Sequence, residues 1–233
     1  MARFGRVLTA MVTPFTDDES LDVDAAVSLA KWLVEQGTEG LVVAGTTGES
    51  ATLSIDEKLT LFEAVCDAVT VPVLAGTTGS NTRQDIGLTV EAEKLGIAGV
   101  LAVCPYYNRP SQAGLSAHFR AIAGTTDLPV LLYDIPKRTG RKIDTATLIE
   151  LGNDVANIVG VKDAAADPGQ TAIVIDETPA DFEVYSGDDP MTLPLLAVGA
   201  VGAIGVATHW CAPDHVEMFD AWSAGDAAGA RAH

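Results

Sequence analysis

Cysteine is scarce. Cys66, Cys104 and Cys211 are the only three in 233 residues. They are odd in number, far apart, and free of any Cys-x-x-Cys spacing. That argues against a disulfide framework and for reduced thiols in a cytosolic protein. Positive charge is scarce too. Fourteen Lys and Arg stand against 32 Asp and Glu, a formal net charge of −18. Neither nucleic acid nor an anionic membrane is an expected partner, and a small anionic substrate would need its own local Lys or Arg. No apolar run approaches the ~18 residues that cross a bilayer. The short run after Arg3 and Arg6 is stopped by Pro14 and Asp17-Asp18-Glu19, too early for a signal peptide. No Gly-x-Gly-x-x-Gly leads from a strand into a helix, so the dinucleotide fingerprint is missing. His209, Cys211, Asp214 and His215 cluster, but at a spacing that fits no zinc pattern. No metal and no organic cofactor are expected.

What the chain does have is alternation. Hydrophobic residues make up 48%, which suits parallel strands covered on both faces. Short Val/Ile/Leu/Ala runs at residues 7–12, 40–44, 73–75, 99–103, 130–134, 158–162, 182–186 and 203–207 read as strands. Amphipathic stretches at 22–36, 54–69, 82–95, 111–123, 144–151, 168–176, 190–198 and 213–222 read as helices. Ser54 with Glu57 three residues on forms a capping box. Eight strand–helix units in a chain near the typical ~250 residues predict an α/β fold, a (β/α)₈ TIM barrel, over a doubly wound open sheet.

Barrel chemistry sits where strands end. After the second strand comes Gly45-Thr46-Thr47-Gly48-Glu49-Ser50, a tight turn whose N–H groups and hydroxyls suit a carboxylate. A near copy, Gly76-Thr77-Thr78-Gly79-Ser80, follows the third strand, so the motif alone does not separate a site from an ordinary turn. Tyr106 and Tyr107, two of the four tyrosines, share the loop after the fourth strand, where they could relay protons or fill a subunit interface. Tyr133 ends an apolar strand and needs a partner for its hydroxyl. Arg138 can grip a carboxylate with two hydrogen bonds, or lie solvated in its loop. Lys162 ends the sixth strand. Burial would lower its pKa and make it a nucleophile, and snorkelling to solvent is the alternative. Asp188 and Asp189 read as a helix N-cap, and His118 as a structural helix residue.

In order along the chain, Gly45-Thr46-Thr47-Gly48-Glu49, Tyr106-Tyr107-Asn108-Arg109-Pro110-Ser111, Tyr133, Pro136 with Arg138-Thr139-Gly140, and Lys162 resemble the dihydrodipicolinate synthase family of pyruvate-dependent class I aldolases. The resemblance covers nearly the whole chain. It implies an imine between Lys162 and pyruvate, with Tyr133, Thr46 and Tyr107 moving protons and Tyr107 reaching into a neighbouring subunit. It implies Thr47 on the pyruvate carboxylate, Arg138 on the carboxylate of L-aspartate 4-semialdehyde, and Gly187 with the Ile204 backbone along the pocket. Ser50, Ala51, Asn81, Asp85 and Tyr106 are its candidate allosteric residues. Ile55 and Lys58 stand where lysine-inhibited relatives often carry histidine, which argues against strong inhibition. A cytoplasmic homo-oligomer, dimer or tetramer, is implied. The family carries further C-terminal helices, so residues 1–223 are expected to form the barrel and 224–233 the start of a shortened helical region. Two other readings compete: a sialic-acid or 2-keto-3-deoxy sugar acid aldolase, and a non-catalytic barrel.

Overall fold

The computed structural model describes residues 2–233. Eight parallel strands close on themselves in sequence order: β1 Val7–Ala10, β2 Gly40–Val43, β3 Val73–Ala75, β4 Gly99–Val103, β5 Val130–Asp134, β6 Ile158–Asp163, β7 Glu183–Ser186 and β8 Gly202–Gly205. The surrounding helices are α1 Val23–Glu35, α2 Ile55–Ala68, α3 Thr82–Glu93, α4 Gln112–Ala123, α5 Pro136–Thr139, α6 Thr145–Asp154, α7 Pro168–Glu177, α8 Thr192–Ala197, α9 Thr208–Ser223 and α10 Ala227–Ala230. The expected (β/α)₈ barrel is therefore the observed one.

Local chemistry sets the boundaries. The Ser54–Glu57 capping box at the start of α2 is present in both directions. Ser111 caps α4 through Gly114 N–H, and Asp22 caps α1 through Ala25 N–H. Three expectations need correction. β1 stops at Ala10, and Val12, expected inside it, is exposed. The last long helix begins at Thr208 and not at Pro213. It breaks helical geometry at Cys211, which lets Pro213 sit in the first turn of the continuing segment. The stretch expected as a helix from Pro190 is a 3₁₀ turn, Asp189–Met191, followed by α8.

Two apolar layers hold the barrel. Between strands and helices pack Leu33, Leu41, Phe62, Val65, Val100, Leu115 and Phe119 among others. Inside the barrel pack Phe4, Leu8, Val42, Leu74, Leu101, Leu131, Tyr185 and Ile204. Each such side chain contributes about 1.5–3 kcal/mol by leaving water. The floor is tight. A Cβ on Gly202 would lie 2.9 Å from the Tyr185 ring. Tyr185 donates to Glu183 at 2.7 Å and accepts from Phe4 N–H at 3.3 Å. The barrel interior is thus sealed below and can open only at the C-terminal ends of its strands.

Candidate active site

One irregularity aims the site. Along β5 and β6, Val130 pairs with Ile158 but Leu131 pairs with Gly160, a bulge at Val159. Strict alternation from the outward Ile158 would turn Lys162 out of the barrel. The extra residue reverses the parity, so Tyr133 pairs with Lys162 and both face inward.

Lys162 is 4% exposed, and its Nζ lies 4.3 Å from the centroid of the Tyr133 ring. Burial lowers its pKa to about 8, with the charge of Asp189 pulling the other way. The amine is therefore partly neutral near physiological pH, as attack on a ketone requires. Burial pushes the Tyr133 phenol up to about 12, while the Thr46 hydroxyl and the Arg138 charge oppose that rise. Tyr133 remains a proton donor. Gly187 makes room for the lysine: a Cβ there would meet Lys162 Cγ at 2.9 Å and Cε at 3.0 Å.

These groups open onto a cavity of about 390 Å³, lined by Thr46, Thr47, Tyr133, Arg138, Lys162 and Gly187 with their neighbours. Six of the expected residues thus meet in one place. Ile204 is fully buried in the barrel interior, and Val206 is the residue after β8 that lines the cavity. Arg138 arrives on α5, a single turn with Pro136 at its start and left-handed Gly140 at its end. It lines the same cavity as Lys162, Thr47 and Lys137 and brings a guanidinium to it.

The two Gly-Thr-Thr-Gly loops separate cleanly. In the second, Thr77 and Thr78 are buried. Thr77 bonds Thr89 at 2.8 Å and Thr78 accepts from Val103 N–H at 2.7 Å. That copy does not line the Lys162 cavity. In the first, Thr46 is exposed and lines the cavity.

A second cavity, about 310 Å³, adjoins the first through Thr46, Tyr133 and Arg138, and is walled by Ser50, Ala51 and Tyr106. The remaining candidate allosteric residues do not line this cavity. Asn81 caps α3. Asp85 is buried 4.0 Å from His118 Nε2, and burial lifts its carboxyl to about 6 against the pull of Lys58. His118 accordingly proves buried, with Nδ1 bonded to Thr82 at 2.8 Å.

Tyr107 does not join Lys162 within the chain. It is 94% exposed with φ of +72°, a left-handed conformation costly for a tyrosine. Asp188 and Asp189 are not the expected cap: their turn has no side-chain cap bond. Asp188 instead lies 3.6 Å from Lys137 Nζ, and Asp189 Oδ2 accepts from Ala207 N–H at 3.2 Å. Both line the Lys162 cavity. Sequence reasoning missed that role, although the strand-end position was a usable signal. Among the described residues no cluster of three or more metal-ligating side chains occurs.

Comparison with known proteins agrees with this geometry. The profile of the dihydrodipicolinate synthetase family matches residues 3–233. A 4-hydroxy-tetrahydrodipicolinate synthase of Moorella thermoacetica is 52% identical over 99% of this chain and 79% of its own length. A lysine-bound dihydrodipicolinate synthase of Cyanidioschyzon merolae superposes with a TM-score of 0.97 at 44% identity, over 99% of this chain and 79% of that one. The chloride-inhibited Acinetobacter baumannii enzyme, complexed with pyruvate, gives 0.93 at 36% identity, over 98% of this chain and 79% of that one. With a family profile spanning the barrel and half of all residues shared with a curated relative, the chain belongs to the dihydrodipicolinate synthetase family.

Proposed function

We propose that Lys162 forms an imine with pyruvate and that the derived enamine attacks L-aspartate 4-semialdehyde. The activity is that of a 4-hydroxy-tetrahydrodipicolinate synthase, a lyase of the class I aldolase type. The observation that carries the residue assignment is a buried amine of lowered pKa set against a tyrosine ring, on the wall of a cavity holding one arginine.

The Lys162 amine adds to the pyruvate ketone, and the carbinolamine loses water to give an iminium. The iminium draws electrons from the methyl group, which loses a proton to become the enamine carbon. That carbon bonds to the aldehyde carbon. The amino group brought by the semialdehyde then attacks the iminium carbon, closes the ring and expels the Lys162 amine. Tyr133, relayed by Thr46, supplies and removes protons. Thr47 holds the pyruvate carboxylate and Arg138 the second one.

Tyr107 acts across a subunit boundary in this proposal. Its exposure and left-handed backbone support a residue that docks elsewhere, and the cavity beside Tyr133 and Thr46 offers room for the partner subunit's Tyr107. A homotetramer in the cytoplasm, serving diaminopimelate and lysine biosynthesis, completes the proposal. Residues 1–223 act as the barrel, and 224–233 begin a C-terminal helical region. Of the candidate allosteric residues, Ser50, Ala51 and Tyr106 share a wall, whereas Asp85 already faces Lys58. Together with Ile55 and Lys58 in the following helix, this weighs against strong lysine inhibition.

The test is substrate choice. With pyruvate supplied, consumption of L-aspartate 4-semialdehyde is expected and consumption of N-acetylmannosamine is not. The reverse preference would establish a sugar-acid aldolase, and turnover of neither a non-catalytic barrel.

A further inference from the structure

The cationic iminium poses a problem that the catalytic tyrosine and threonines do not solve. It forms on a buried side chain, where an uncompensated charge is costly. Thr46, Thr47 and Tyr133 are neutral, and Lys137 and Arg138 add positive charge to the same walls. The ion pairs of the described residues involve Arg6, Lys94, Arg120, Lys137 and histidines, and none involves Lys162.

Two carboxylates line this cavity. Asp188 lies 3.6 Å from Lys137 and is partly neutralised by it. Asp189 differs. One oxygen, Oδ2, accepts from Ala207 N–H at 3.2 Å, which fixes the side chain against the loop after β8. The other, Oδ1, is enclosed and has no hydrogen-bond partner. Its packing is close enough that a Cβ on Gly205 would lie 2.5 Å from it. A buried carboxylate oxygen left unbonded is costly unless something else uses it.

We propose that Asp189 is a positioning residue that acts as the fixed counter-charge for the cation formed on Lys162. It acts through its charge and exchanges no proton with substrate. Its field favours the ammonium and, after condensation, the iminium, over their neutral counterparts. The direction agrees with its effect on the free lysine, whose proton affinity it raises against burial. The titratable and charged groups around the amine are Tyr133, whose ring it approaches, Tyr185 paired with Lys162 on β7 with its hydroxyl turned down to Phe4 and Glu183, and Lys137, Arg138, Asp188 and Asp189, which line the same cavity. Among these, only Asp189 has an enclosed, unbonded anionic oxygen.

The inference rests on Lys162 being the imine lysine. It is tested by following the pyruvyl adduct, trapped with borohydride and weighed by mass spectrometry, as a function of pH in wild type and Asp189→Asn. The amide keeps an acceptor for Ala207 and removes the charge. The midpoint of the acid limb of adduct formation is expected to move down by about one pH unit, while the fraction of enzyme held as adduct at saturating pyruvate falls. Asp189→Glu, which restores the charge, should return the midpoint toward wild type. A carboxylate that merely held the loop would lower the rate without moving the midpoint, so an unmoved or raised midpoint overturns the proposal. Asp189→Ser keeps an acceptor in a smaller side chain and is read identically if the asparagine variant is not recovered folded. Failure of wild type to form any adduct would overturn the lysine assignment itself, a result distinct from an unshifted limb.

Discussion

Tyr133 and Lys162 sit side by side inside the barrel because β6 carries one residue more than β5 between their first and last pairings. The 4.3 Å approach of the amine to the phenol ring follows from that bulge. Nucleophile and proton donor are thereby placed on neighbouring strands at one depth, with the sealed floor of Tyr185 and Phe4 beneath them.

The pH response of the first step follows from burial. With a Lys162 pKa of about 8, roughly a tenth of the amine is free base at pH 7 and roughly nine-tenths at pH 9. The rate of pyruvyl adduct formation should therefore rise about ten-fold across that interval, measured by rapid quench with borohydride. A flat profile would contradict a titrating amine.

Gly187 can be tested by adding one carbon. The Cβ of Gly187→Ala would press on Lys162 Cγ and Cε, so the lysine stem must shift from its place on the cavity wall. A displacement of the amine by even ~1 Å costs on the order of 100-fold in rate. Adduct formation should fall by that order, while circular dichroism and melting temperature change little. Wild-type rates in this variant would mean that the lysine stem is not held there.

Arg138 is expected to separate the two halves of the reaction. It lines the same cavity as Lys162 but is assigned to the second substrate. Arg138→Ala should raise the KM for the semialdehyde and lower kcat by roughly 10²-fold or more, as loss of a charged bidentate contact does. Pyruvyl adduct formation should be nearly preserved. Equal loss of both would contradict the assignment.

Asp134 bears on stability. It is buried on β5, accepts from Ile143 N–H at 3.1 Å, and is lifted by burial, and further by Asp163, to about 7. Because the folded-state value lies above the ordinary 3.8, its contribution is fully favourable below that pH and is lost as pH rises through 7. Asp134→Asn should raise the melting temperature at pH 8.5 by roughly 2–4 °C and by much less at pH 4. An equal shift at both would show that ionisation is not the cause.

Much of this was legible in the chain. The eight strands announced themselves because each is buried on both faces and bounded by turn chemistry, and Lys162 stood out as a cation closing such a run. The bulge at Val159 did not, since a two-sided apolar strand carries no alternation from which its parity could be read. The α5 turn was hidden because four residues beginning at a proline show no helical period. Asp189 was assigned to a cap from its place before a helix, whereas its packing against Ala207 and Gly205 depends on a strand neighbour distant in sequence. The duplicated Gly-Thr-Thr-Gly loops could be separated only by burial, which the local sequence does not encode.

The central claim is that Lys162 carries the imine. Incubation with pyruvate, borohydride reduction and peptide mapping should place one pyruvyl adduct on Lys162, and none on the protein after Lys162→Ala. An unmodified Lys162, or an adduct on another lysine with turnover intact, would contradict the account.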